Sequence, residues 1–312
     1  MMNMAEPVRL PTKLRGTLRT NEPMARHVSW RAGGRARTFY QPADVEDLMA
    51  FVRTLPETEP VLVVGLGSNL LVRDGGFAGT VLFTHHALTG IRQEAPRNGR
   101  LLFTAGAGVP APHLARYVAK HGGAGAEWMA GIPGTIGGAL AMNAGCYGGE
   151  TWKHVESVTM LGRDGFLVTR PPRDFQVGYR HVAPLRSRDE TFVSGTFSFA
   201  RGDEAEAMRR MKELLSRRVA TQPLNEPNAG SVFRNPEGDH AARLIEAAGL
   251  KGYTVGGAQV SVKHANFIVN KGGASAADIE AVIDHVQSTV LEEAGIELIR
   301  EVRIVGVPGH EA

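Results

Sequence analysis

Three stretches of the chain carry side chains that could do chemistry. Phe175-Gln-Val-Gly-Tyr-Arg180 is an extended, aromatic-flanked run ending on an arginine, a cation at any working pH that can hold a carboxylate bidentately. Asn228-Ala-Gly-Ser-Val-Phe-Arg-Asn-Pro236 sets Ser231 in a glycine turn with Arg234 and Asn235 close by. A serine hydroxyl is a feeble acid near neutral pH and donates a proton only to a strong base held out of water. Glu301-Val-Arg-Ile-Val-Gly306 opens a strand-like run on a carboxylate. Each also has a plain reading: a surface arginine, a turn serine and a strand-edge glutamate. Spacing alone does not bring the three together.

Two further stretches are rich in glycine. Val61–Val64 is a buried-strand pattern running straight into Gly65-Leu-Gly-Ser-Asn69, then Leu70–Val72 and Arg73-Asp-Gly-Gly76. The second is Gly131-Ile-Pro-Gly-Thr-Ile-Gly-Gly138, continuing through Asn143-Ala-Gly-Cys-Tyr-Gly-Gly149. Without a Cβ, such turns let backbone N–H groups approach an anion closely. Two in one region suggest a long phosphorylated ligand such as a dinucleotide. Neither is a Rossmann fingerprint, because the third glycine of G-x-G-x-x-G and the long helix after it are missing. No Walker lysine-serine pair is present. Alone, each is a turn.

The elements that must position these residues change character along the chain. Val81–Phe83, Leu101–Phe103, Val155–Leu161 and Phe166–Thr169 read as strands, with a helix from about Pro112 to Lys120. From about Gly202 helices dominate. One starts at Asp203-Glu-Ala-Glu206 and ends at Arg217-Arg218, with charges that complement the helix dipole. Met208, Met211 and Leu215 share a face and read as core. Ser275-Ala-Ala-Asp278 is a capping-box start; it leads Ile279, Val282, Ile283, Val286 and Val290 along one face up to Gly295. Ala258–Val262 and Phe267–Asn270 are strands between the helices. The fold class expected is α+β, with a basic arm over 1–27, a two-lobed domain over 28–201 (about 28–88 and 89–201) and a smaller domain over 202–312.

Composition narrows the functions. Glycine makes up 38 of 312 residues, against about 7% in average chains, and has no collagen-like period. The single cysteine, Cys146, cannot form an intramolecular disulfide, which fits a reducing compartment. No Cys/His cluster points to a metal. No apolar run is long enough to span a bilayer, and the N-terminus lacks an apolar signal core, so a cytoplasmic monomer is expected. The net charge is +3. Arg9, Lys13, Arg15, Arg19, Arg26, Arg31, Arg35 and Arg37 make a basic N-terminal arm without the aromatic platform of a nucleic-acid binder. It reads as a solvated leader with no nucleic-acid partner.

The two glycine stretches, with Val28-Ser-Trp-Arg-Ala-Gly-Gly34 ahead of them, resemble the diphosphate-binding segments of the vanillyl-alcohol oxidase/para-cresol methylhydroxylase group of FAD proteins. That resemblance implies non-covalent FAD held by Gly65, Gly67, Ser68 and Asn69 on one side. Ile132, Gly134, Thr135, Gly137, Gly138 and Asn143 would hold it from the other. From Val28 to Gly306 the chain resembles the UDP-N-acetylenolpyruvoylglucosamine reductase family in its shorter form. The specific marks are Ala229–Pro236, Leu244–Tyr253, Gly256–Ser261, Lys263-His-Ala265 and Glu301–Gly306. The resemblance implies an NADPH-dependent flavoenzyme that reduces an enolpyruvyl sugar nucleotide for peptidoglycan. It maps the family's catalytic arginine, serine and glutamate onto Arg180, Ser231 and Glu301. It also implies substrate contacts from Tyr179, Arg218, Arg234, Asn235 and His264. Arg218 could equally cap a helix C-terminus, and His264 could be a structural histidine. Two rival readings are another FAD oxidase or dehydrogenase of the same group and a non-enzymatic nucleotide-binding regulator.

Two positions depart from the family pattern. Arg300 stands where proline is usual, which would loosen the approach to the last strand. Cys146 stands where alanine is common, inside the second glycine stretch.

Overall fold

The computed structural model describes residues 14–186 and 189–309. Its first lobe is a four-stranded sheet ordered β1-β2-β5-β3, from Thr17–Pro23, Arg35–Gln41, Phe77–Phe83 and Val61–Val64. β1 runs antiparallel to β2, whereas β2 and β3 both lie parallel to β5. Helix α1 (Val45–Val52), capped by the Asp44 side chain, packs Leu48, Phe51 and Val52 inward. β4 (Leu70–Val72) leaves this sheet for a partner described below.

β1 corrects the expected leader. Residues 1–13, with Arg9 and Lys13, lie outside the described residues, but Thr17–Pro23 is an ordered edge strand. Its first five side chains are exposed, so the pairing rests on main-chain hydrogen bonds that leave no apolar alternation in the sequence.

The second lobe is an antiparallel sheet threaded by a long strand. β6 (Ile91–Arg97) and β7 (Arg100–Gly106) form a hairpin, followed by α2 (Ala111–Lys120), the short β8 (Gly123–Ala124) and α3 (Ile136–Met142). After the two-residue strands β9 (Gly145–Cys146) and β10 (Gly149–Glu150) come β11 (Val155–Gly162) and β12 (Leu167–Arg170). A separate hairpin, β13 (Phe175–Gly178) with β14 (His181–Pro184), precedes β15 (Glu190–Arg201). β15 lies between β11 and β7 in the order β12-β11-β15-β7-β6, with β8 also on β15. Phe103, Phe197, Phe199, Leu114, Val118 and Leu140 fill the core.

α4 (Glu204–Thr221) belongs with this lobe. Ala207 and Met211 are buried in its core and Leu215 packs against it, so the expected boundary at 202 cuts off a helix that the second lobe covers. Met208, expected inside, is 37% exposed, because the buried stripe is narrower than its i, i+3, i+7 spacing suggests. The remaining part begins after α4. It comprises α5 (Ala241–Ala247), the small sheet β16 (Thr254–Val255), β17 (Ala258–Val260) and β18 (Ile268–Asn270), and α6 (Ala276–Ala294). α6 starts at the full capping box of Ser275 and Asp278 and stops at left-handed Gly295. Its apolar face packs on Leu244, Ile245, Val260 and Ile268.

The chain then returns to the first lobe. β19 (Arg303–Val305) pairs in parallel with β4, register Arg303 to Leu70 and Val305 to Val72. Asp74, just beyond β4, accepts the amides of Ala276 and Ala277 at the start of α6 at 3.0 and 2.8 Å. Arg73 makes a bidentate pair with Glu280 of α6.

Candidate active site

A cleft of about 560 Å³ runs between the lobes and ends against the C-terminal part. Both glycine stretches line it. Gly65 follows β3 directly, and a Cβ there would sit 2.2 Å from Thr135 Oγ1. A Cβ at Gly134 would sit 3.3 Å from Ser68 Oγ. At Gly65 the loops therefore face each other at a spacing that only glycine permits. Gly67 has a φ of +59° and presses on His27, whose carbonyl oxygen would lie 2.2 Å from an added Cβ. Gly67 accepts from the Ser29 amide, which fixes the loop from behind. Thr135 caps α3, with its hydroxyl 3.5 Å from the Gly138 amide, and Gly137 sits on Ala107.

The chemistry of this cradle suits a dinucleotide diphosphate. The amides of Gly67, Ser68 and Asn69 donate to no other group among the described residues. No loop residue from Gly65 to Asn69 or from Gly131 to Gly138 carries an acidic side chain that would repel phosphate. The volume falls within the range of about 300–1,000 Å³ usual for cofactor sites. Gly65, Gly67, Ser68, Asn69, Ile132, Gly134, Thr135, Gly137 and Gly138 all line the cleft.

One end of the cleft gathers Arg180, Ser231 and Glu301. Arg180 lies at the tip of the β13–β14 hairpin, and its Nε donates to Glu301 Oε1 at 2.7 Å across 121 residues of sequence. Its Nη2 donates to Gly145 O at 2.8 Å and its Nη1 to Asn143 O at 3.4 Å. Ser231 reaches the same place through the main chain. The amides of Val232 and Phe233 bond Asn266, and Val232 O accepts the Glu301 amide at 2.8 Å. Ser231 and Glu301 thus sit on neighbouring extended segments. On its other side the Glu301 carbonyl accepts from Asn69 Nδ2 at 3.1 Å, which ties the carboxylate's backbone to the first glycine loop.

Burial pushes the Glu301 carboxyl above the ordinary carboxylate range, although the Arg180 charge and hydrogen bond and the more distant Arg234 act against it. Desolvation wins because the side chain is only 15% exposed.

The expected substrate residues divide. Arg218 lines the cleft, donating to Gly131 O at 2.7 Å and to Gln222 Oε1 at 2.8 Å rather than capping its helix carbonyls. Burial lowers its pKa, and no carboxylate pairs with it among the described residues. Arg234 stands behind Arg180, its Nη2 on Arg180 O at 3.2 Å and its Nε buried without a partner among the described residues. Tyr179 is half exposed, with the Arg180 guanidinium 5.2 Å from its ring centre. Asn235 is exposed, lies outside the cleft wall and uses its Oδ1 on the Ala241 amide at 3.1 Å. His264 also lies outside the wall; it packs edge-on against Phe267, with Nδ1 buried and unpartnered and its pKa lowered by burial.

Two cofactor-side expectations change. Asn143 is 2% exposed and absent from the cleft wall, because all of its amide hydrogen bonds are made within the protein. Cys146 does line the cleft, donating its thiol to Trp128 O at 2.8 Å, and burial raises its pKa to about 11. It is a neutral thiol, a poor nucleophile. Arg300, expected to loosen the approach to β19, instead binds it to α6 through Asp284 and Gln287. Asn69, Gln222 and Phe267 complete the wall around these residues. Only the Asn69 contact had a sequence signal, its place in the first loop.

A cleft of this shape, with paired glycine loops leading to a cation, a hydroxyl and a protonatable carboxyl, is that of an FAD-dependent oxidoreductase. The family model described as FAD binding domain matches residues 36–170, and that for the C-terminal domain of UDP-N-acetylenolpyruvoylglucosamine reductase matches residues 222–305. The reductase of Thiobacillus denitrificans is 55% identical over 302 residues, covering 94% of this chain and 93% of the relative. That of Alkalilimnicola ehrlichii is 55% identical over 291 residues, with 93% and 95% covered. The crystal structure of the Thermus caldophilus reductase superposes with a TM-score of 0.75 at 31% identity, over 93% of this chain and 98% of that one. The chain belongs to the UDP-N-acetylenolpyruvoylglucosamine reductase family and is a flavin-dependent reductase. The FAD-domain match stops before α4 and the C-terminal match starts after it, where the packing also divides.

Proposed function

We propose that the enzyme reduces the enolpyruvyl group of UDP-N-acetylglucosamine enolpyruvate to UDP-N-acetylmuramate, with NADPH as reductant. It would act in the cytoplasm, as a monomer, on the precursor from which the cell wall is built, and so serve cell shape and division. The observation that carries the catalytic assignment is the 2.7 Å contact of Arg180 with Glu301 at the end of the cleft where Ser231 also stands.

The two glycine loops would hold FAD without a covalent link, and that group, once reduced by NADPH, would supply the hydride for the terminal carbon of the double bond. The electron pair of that bond then moves toward the substrate carboxylate, making an enediolate. Arg180 holds this carboxylate and meets the growing charge with a cation that cannot deprotonate. Glu301, with its pKa raised by burial, keeps a proton and donates it in a hydrogen bond to the enolic oxygen. An incoming carboxylate shares the Arg180 charge and so strengthens the protonated form further. Ser231 gives its proton to the carbon beside the carboxylate, completing the new C–H bond, and is reprotonated from water. Arg218, a half-buried cation on the cleft wall with no carboxylate partner among the described residues, binds the diphosphate of the sugar nucleotide. Arg234 supports the Arg180 backbone, and Tyr179 covers the outer edge of the site. Asn235 and His264, both outside the cleft wall, support the turn and the small sheet that carry the substrate side.

Ser231→Ala tests the assignment. Bleaching of the flavin by NADPH is expected to survive, while its recovery on adding the enolpyruvyl substrate slows by about 100-fold or more. Equal loss in both half-reactions would leave Ser231 a structural residue.

A further inference from the structure

Arg180 occupies a backbone conformation that arginine does not favour. Its φ is +53°, in the left-handed region disfavoured for residues with a Cβ. Such a residue persists only where its surroundings over-determine it. Arg234 provides one restraint, bonding the Arg180 carbonyl. Asn143 provides the other.

Asn143 ends α3 in the same left-handed region, with φ +42° and ψ +49°, a place that asparagine tolerates better than most residues. Its Nδ2 donates to Gly178 O at 3.0 Å and to Glu150 Oε2 at 3.2 Å, and its Oδ1 accepts from the Trp152 amide at 3.1 Å. Gly178 ends β13, two residues before Arg180, so the side chain grips the hairpin where it turns. The main chain of Asn143 does a second job, because its carbonyl receives Arg180 Nη1 and that of Gly145 receives Nη2. The reach is fixed at both ends: the hairpin's turn to the asparagine side chain, the guanidinium to the carbonyls that follow the helix.

We propose that Asn143 is the positioning residue for Arg180, setting where the guanidinium meets the substrate carboxylate. This rests on the reading of Arg180 given above. The residue type follows from the partners. Two donors are needed toward Gly178 and Glu150, one acceptor toward Trp152, and a left-handed backbone. Aspartate would give only acceptors and face Glu150 with like charge; glycine would keep the backbone and carbonyl alone.

The test uses the full-length holoenzyme of Asn143→Gly and Asn143→Asp, alone and combined with Arg180→Lys. In Asn143→Gly, FAD affinity and flavin bleaching by NADPH are expected to stay close to those of the unmutated protein, while the melting temperature falls because the buried Trp152 amide loses its acceptor. Flavin recovery on adding substrate should slow about 10- to 100-fold, the usual result of an ångström-scale misplacement. In the double variant this loss should largely vanish against Arg180→Lys alone, since the asparagine acts only through the arginine. Losses that multiply instead, or equal slowing of both half-reactions with weakened FAD binding, overturn the proposal. If Asn143→Gly does not fold, Asn143→Asp, which fills the same volume, is read by the same criteria. Failure of both to bind FAD overturns the proposal too, because the residue would then hold the lobe rather than the arginine. If Arg180→Lys leaves substrate-driven recovery unchanged, the role given to Arg180 fails instead.

Discussion

Gly65→Ala separates the two glycine loops with one methyl group. The position does not require glycine for its backbone, since its φ is not positive. The whole effect therefore comes from contact. The added Cβ would lie 2.2 Å from Thr135 Oγ1, 2.9 Å from Cγ2 and 3.1 Å from Cβ. Comfortable separation is about 3.5 Å, so one loop must retreat by about 1 Å. Thr135 cannot simply swing aside, because it is 1% exposed. Overpacking of this kind costs about 1–3 kcal/mol. Spent on parting the loops, it weakens FAD binding about 5- to 150-fold at about 1.4 kcal/mol per tenfold. Thr135→Ala removes the two closest atoms, and its own loss is small because the capping contact is long at 3.5 Å. Titration of apoprotein with FAD, followed by flavin fluorescence, should show the loss in Gly65→Ala and its recovery in Gly65→Ala/Thr135→Ala. Unchanged affinity in the single variant, or no recovery in the double, would refute the claim that the loops clamp the diphosphate between them.

Two further outcomes follow from the same structure. In the proposed mechanism Glu301 acts protonated, and burial raises its pKa, so substrate-driven flavin recovery should fall as pH rises through the Glu301 titration; Glu301→Gln should lack this alkaline limb. The stability sign agrees. The folded state binds the proton more tightly, so Glu301 lowers stability as pH rises through its folded pKa, and a Gln variant that melted with the same pH dependence would count against the shift. Asp74→Ala frees two amides at the start of α6 and should cost about 1 kcal/mol in denaturant unfolding, a cap's usual worth; no loss would show the contact to be incidental.

The sequence made the local elements legible wherever packing is one-sided or a terminus carries its own signal. Val61–Val64, Leu70–Val72 and the Ser275–Gly295 helix lie where the apolar pattern and the caps put them. β1 was invisible because its outer side chains are polar and only its amides pair. The α4 stripe was readable, but amphipathicity says that a face is buried, not against what, and Met211 chose the second lobe. Roles for Arg180, Ser231 and Glu301 came only from the family resemblance. Their meeting could not be read from the sequence, since it depends on the β13–β14 hairpin and on β19 crossing to β4. Asn143 stands apart from its expected contact with FAD: its place beside a glycine loop suggests a ligand, whereas its side-chain hydrogen bonds are made within the protein.

The parallel pair of β4 and β19 has a consequence for how the enzyme comes into being. Domains tend to fold from the N-terminus as the chain is made. Arg73, beside the pair, bonds the carbonyl of Gly306 across 233 residues. Both glycine loops and the hairpin bearing Arg180 are synthesised long before Glu301 exists. Until Arg303–Val305 finds Leu70–Val72, Asn69 lacks its anchor on the Glu301 carbonyl. A growing chain can thus shape a flavin cradle before it owns the carboxyl that completes the cleft beside Arg180, which arrives just ahead of β19.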